Sequence, residues 1–100
     1  MIGLAVLVVD RDPIGRSAVV SRLRRLGMHA IGADAPADAL VLLDGIAAEV
    51  VVVRSHERDP ALFTLRARTL LVQVGEHAAT EDVIEALLHA LGQTPAHPAN

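Results

Sequence analysis

One hundred residues suffice for one small core and leave no room for a second domain beside it. The absence of cysteine excludes disulfides, thiolate catalysis and cysteine-ligated zinc together, and suits a reducing compartment. Net charge is −3, and the nine cationic residues are all arginines scattered from Arg11 to Arg68, so there is no basic stripe for direct nucleic-acid binding.

Apolar residues make up 52% of the chain and are nearly all Ala, Val, Leu and Ile, so the core is expected to be aliphatic, with Phe63 the only aromatic residue. The opening apolar run, residues 2–9, is too short to cross a bilayer, has no basic flank before it and stops on Asp10. The expectation is a cytoplasmic protein with no membrane segment. Within that run, LAVLVV at 4–9 reads as a strand covered on both faces.

Asp12 followed by Pro13 reads as a helix cap and first helical position. Ile14, Ala18, Val19, Leu23 and Leu26 then recur at helical spacing, Arg16, Arg22, Arg24 and Arg25 supply a wet face, and Gly27 ends the helix. A second strand is expected at 28–33 and a second helix at 36–46, carrying Ala39, Leu40, Leu42, Leu43 and Ile46. EVVVV at 49–53 is the strongest strand signal, suited to a central parallel position. Asp59 and Pro60 repeat the helix start before a third helix reaching about residue 66, and a fourth strand is expected at 70–74. Thr80 reads as the cap of a last helix, with Glu81, Asp82 and Val83 in its first turn and Leu91 and Gly92 at its end. The domain is therefore 1–92, and the tail QTPAHPAN, 93–100, is expected to be a disordered end or linker.

Four strands alternating with four helices predict an α/β fold with right-handed crossovers and a parallel sheet covered on both faces. The working edge of such a sheet is the one formed by the carboxyl ends of its strands. That edge holds Asp10, Arg11 and Asp12, then Arg54 to Glu57, then Gly75 to His77.

The run VLVVDRDPIGR at 6–16, followed by Leu23, Gly27 and DAL at 38–40, resembles the receiver domains of the response-regulator family, which have a flavodoxin-like fold. The resemblance covers roughly the first fifty-four residues well and the remainder weakly. It implies a phosphorylation pocket at the strand ends, but one that is degenerate. Asp10 matches the first acid of the family, whereas the second, a direct Mg²⁺ ligand, falls on Arg11 and the phosphorylated aspartate falls on Arg54. A guanidinium can neither ligate a hard dication nor accept a phosphoryl group. The family's lysine has no counterpart in a chain without lysine, and its hydroxyl residue falls on Val74 or Gly75. Receivers have five βα units. The last helix, EDVIEALLHAL, is therefore either the family's fourth, with the rest missing, or its fifth, with the fourth helix and fifth strand deleted; its sequence favours the second alternative.

Other chemistry has less support. His56 and His77 lie near strand ends with Asp10, Asp12 and Glu57, yet no spacing within one element places ligands together, so loop histidines and no metal is the preferred reading. Asp10 to Gly15 contains one glycine and no lysine, which disfavours a phosphate-binding loop. Ser17 and Ser21 have no base beside them, so nucleophilic catalysis is not expected. Arg22, Arg24 and Arg25 read as a solvated face in preference to an anion site. Val83, Ile84, Leu87, Leu88 and Leu91 form a wide stripe, and a homodimer is expected through this helix or through an uncovered sheet edge, because a short sheet leaves surplus apolar surface.

The expected function is a phosphorylation-independent regulatory and interaction module without enzymatic activity or cofactor, the amino-terminal receiver-like part of a bacterial transcriptional regulator. The alternative is a small-molecule sensor or small enzyme using the pocket at the strand ends.

Overall fold

The computed structural model describes residues 3–55 and 58–92. Eight elements follow in strict alternation: β1 (Ala5–Val9), α1 (Pro13–Arg25), β2 (His29–Ala33), α2 (Pro36–Leu43), β3 (Val50–Arg54), α3 (Pro60–Arg68), β4 (Leu70–Val74) and α4 (Thr80–Ala90). The strands form one parallel sheet in the order β2-β1-β3-β4. The expected tail at 93–100 lies outside the described residues, as do His56 and Glu57.

The two interior strands are the two most apolar ones. Val6 to Val9 and Val50 to Val53 are buried throughout, which is what helices on both faces of a parallel sheet require. Alternation along each strand divides the core in two. Val6, Val8, Val50 and Val52 face α1 and α4, whereas Leu7, Val9, Val51 and Val53 face α2 and α3.

Handedness decides where α4 belongs. α1 carries the chain from β1 to β2 in one direction along the sheet, while α2 and α3 carry it the other way, so right-handed crossovers place them on opposite faces. A helix leading from β4 to a further parallel strand would lie on the face of α2 and α3. Instead α4 packs beside α1, and its Val83, Ile84 and Leu87 join Val19 and Leu23 in one cluster. It closes the α1 face, which excludes the alignment with a receiver's fourth helix.

That packing corrects the expected interface. Val83, Ile84 and Leu87 are core residues, and Leu88 and Leu91 pack partly buried against the same cluster. The stripe is wide because α1 and α4 alone must cover a whole face of the sheet.

Local signals need smaller corrections. Asp12 and Asp59 cap α1 and α3 as expected, accepting from the Ile14 N–H at 3.1 Å and the Ala61 N–H at 2.9 Å. The cap of α4 is Ala79, whose N–H donates to the Asp82 carboxylate at 3.3 Å, and Thr80 is already helical. α2 stops at Leu43, before Ile46, and α3 continues to Arg68. The inward row of α1 is Gly15, Val19 and Leu23, so Ile14 is 81% exposed, and Ala18 and Leu26 are exposed as well. The reason lies at the strand ends.

Candidate functional site

Val9 is in register with Val53, so the next residues, Asp10 just beyond β1 and Arg54 at the last position of β3, emerge side by side at the ends of the two central strands. This is where the chain's direction across the sheet reverses, and where α/β sheets open a crevice. In this molecule a side-chain pair spans it, beneath an open cleft. The Arg54 Nε and Nη2 donate to Asp10 Oδ2 at 2.8 and 2.5 Å, and Nη1 donates to the Ala78 carbonyl at 2.6 Å. The other carboxylate oxygen, Oδ1, accepts the Asp12 N–H at 3.0 Å. Only 9% of the Arg54 side chain and 7% of the Asp10 side chain reach solvent.

Both nitrogen donors converge on one oxygen, so the contact is not the parallel fork of two N–H groups on two oxygens. The geometry links three places: the end of β1, the end of β3 and the loop before α4. A fourth is forced by space. A Cβ added at Gly15 would collide with Arg54 Nη2 and lie 3.1 Å from Asp10 Oδ2. The first turn of α1 therefore turns its glycine toward the pair, which moves Ile14 outward.

Arg16 supports the pair from the other side. Its Nη1 donates to the Asp10 carbonyl at 2.8 Å and reaches Asp34 Oδ1 at 3.4 Å, while its stem lies across Gly32. Asp10 is thus held by one arginine at its side chain and by another at its backbone.

Of the residues singled out in the sequence, the structure brings Asp10 and Arg54 together and leaves the others at the margin. Asp12 makes no contact with the Arg54 guanidinium, because its carboxylate caps α1. Arg11 is exposed and lines, with Asp12, Asp34, Glu76 and His77, a cleft of about 250 Å³ that Asp10 and Arg54 also line. Gly75 is exposed and lines a different groove, against α3. Gly15, Arg16 and the Ala78 carbonyl were not legible as site residues. The first two sit in a helix whose periodicity explains them, and a backbone carbonyl carries no sequence signal.

The donor set does not fit a divalent cation. Asp10 is the one buried carboxylate among the described residues, and both of its oxygens are engaged by N–H donors. No cluster of three or more His, Asp or Glu side chains able to hold a metal occurs among the described residues. His77 is almost wholly exposed and its nearest carboxylate, on Glu76, is 3.7 Å away. The arginines of α1 have intramolecular work. Arg22 forms a fork on Glu81 at 2.6 and 3.1 Å, joining α1 to α4, and Arg24 donates twice to the Ala30 carbonyl.

No family model matches the sequence. No curated protein matches it either. Among solved structures, the chemotaxis protein CheY4 of Vibrio cholerae superposes with a TM-score of 0.63 at 13% identity, over 88% of this chain and 98% of that one. A response regulator of Thermotoga maritima gives 0.63 at 17% identity over 91% and 99%, and one of Desulfuromonas acetoxidans gives 0.61 at 17% over 97% and 86%. At such identities the likeness is one of architecture. The chain has the flavodoxin-like fold of the response-regulator receiver domains, reduced to four strands and four helices among the described residues.

Proposed function

We propose that the chain is a phosphorylation-independent regulatory and interaction module, the receiver-like amino-terminal part of a bacterial transcriptional regulator, with no catalysis of its own. The observation that carries it is the buried Arg54–Asp10 pair. On the resemblance to receivers, Arg54 stands at the phosphorylated position, and its guanidinium is bonded to the Asp10 carboxylate that the resemblance assigns to the first acid of the pocket. A carboxylate that accepts two guanidinium N–H groups on Oδ2 and a backbone N–H on Oδ1 is already neutralised by a fixed positive charge that opposes a cation, and the pair holds the β1 and β3 ends in one arrangement. A receiver that switches needs two arrangements and a ligand that favours one of them. This one is built as a constant, so its signal is the surface it presents.

The test is a titration with Mg²⁺ and beryllofluoride, a phosphate mimic, followed by amide chemical shifts. Spectra that do not change are the expected result. A saturable Mg²⁺-dependent change at Asp10, Arg54 and their neighbours would refute the proposal. A dimer built on α4 is not part of it, because the apolar stripe of α4 is spent on the core.

A further inference from the structure

Among the described residues β4 is the last strand of the sheet on its side. The Leu70 N–H donates to the Glu49 carbonyl, and the Ser55 N–H donates to the Val74 carbonyl, so Leu70, Val72 and Val74 direct their backbone polar groups at β3. Alternation then points the N–H and C=O of Leu71 off the open edge. Beside that edge, on the face of α3, runs a groove of about 550 Å³ whose apolar wall is Leu62 and Phe63; Val74 borders it, but its side chain packs on the α1 and α4 face. Phe63 is the chain's one aromatic residue and is 76% exposed, in a molecule whose core is otherwise made of Val, Leu, Ile, Ala and Met. Its position outside the core is what an interface anchor requires and what a core does not.

The rim of the groove has a sign. Arg58 and Arg66 line it, both exposed, and neither has an ion pair or a side-chain hydrogen bond among the described residues. Among the described residues the one acid that lines it, Asp59, caps α3. An open strand edge, an apolar wall and a rim where two cations outnumber one acid among the described residues are complementary to an extended peptide with alternating apolar and acidic side chains. A symmetric pairing of this surface with a second copy would bring two rims with the same excess of positive charge together, which opposes it.

We infer that the open edge of β4 and the adjoining α3 groove dock an extended acidic peptide segment of a partner protein, added as a fifth strand. Backbone hydrogen bonds along β4 give affinity, Phe63 covers the apolar side chains, and Arg58 and Arg66 select for acids. The inference rests on reading the chain as an interaction module and supplies the chemistry of its partner.

The experiment titrates the protein into two labelled peptides of about eight residues, the length of a strand. One alternates valine with glutamate and the other alternates valine with lysine. Fluorescence anisotropy should show saturable binding of the glutamate peptide only. Phe63→Ala and Arg66→Glu should each weaken it about tenfold, with unchanged unfolding midpoints because both side chains are exposed, and amide shifts should move at Leu71 and Phe63 but not at Asp10. The inference is overturned by absence of saturable binding, by equal binding of both peptides, or by indifference to both substitutions. It is overturned as well by sedimentation showing a dimer that Phe63→Ala dissociates, since the edge would then belong to a second copy. The Mg²⁺ and beryllofluoride titration reads Asp10 and Arg54 instead, so either result can fail without the other.

Discussion

Replacing Arg54 with alanine removes two of the three donors on the Asp10 carboxylate and leaves the Asp12 N–H at 3.0 Å as its remaining partner. With 7% of that side chain exposed, water replaces little of what is lost. Stranding one member of a buried pair costs about 3–5 kcal/mol, a large share of the roughly 5–15 kcal/mol that holds such a domain together. Asp10→Ala strands the guanidinium instead, which keeps only the Ala78 carbonyl at 2.6 Å. The double variant strands neither charge and leaves only a cavity. It should therefore be less destabilised than the sum of the single variants, by a coupling of roughly 1.5–3 kcal/mol. The bidentate but exposed pair of Arg22 and Glu81 is the internal control, where the same cycle should give only about 0.2–1 kcal/mol. Urea unfolding followed by far-ultraviolet circular dichroism is the suitable assay, because the chain has no tryptophan or tyrosine to report by fluorescence. Additivity within about 0.5 kcal/mol, or a coupling no larger than that of the exposed pair, would refute the role assigned to Arg54.

Gly15→Ala should destabilise by about 1–3 kcal/mol, because the new methyl meets the Arg54 guanidinium, and most of that loss should vanish in an Arg54→Ala background. Equal losses in the two backgrounds would mean that the pair does not govern the first turn of α1. Arg11→Asp combined with Arg54→Asp adds two carboxylates beside Asp10, and Mg²⁺ should then raise the melting midpoint of the variant while leaving the native chain unchanged. A variant indifferent to Mg²⁺ would show that these positions do not converge as the receiver fold implies. Leu87→Ala should cost about 2–5 kcal/mol as a core cavity without altering sedimentation, whereas a change in association state would return the α4 stripe to an interface.

The order of elements was legible in the sequence because its signals are local. The Asp–Pro starts at Asp12 and Asp59, the glycine stop at Gly27 and the valine run before Arg54 each act within a few residues and need no partner to be read. Asp10 and Arg54 were legible as candidates for a different reason. They end the two central strands, and parallel pairing in register carries them to the same point. Tertiary structure alone decided the rest. Whether the α4 stripe faces the core or a partner depends on the hand of the crossovers, which no helix states in its own sequence. Which face of α1 turns inward was set by the space a guanidinium occupies, so a helix with apolar Ile14 and Leu26 exposes both and buries the row through Gly15. The Ala78 carbonyl joins the site because α4 closes over β4 on the α1 face and brings its leading loop to Arg54. Local chemistry fixes which residues can act, and the packing of distant elements fixes which of them meet.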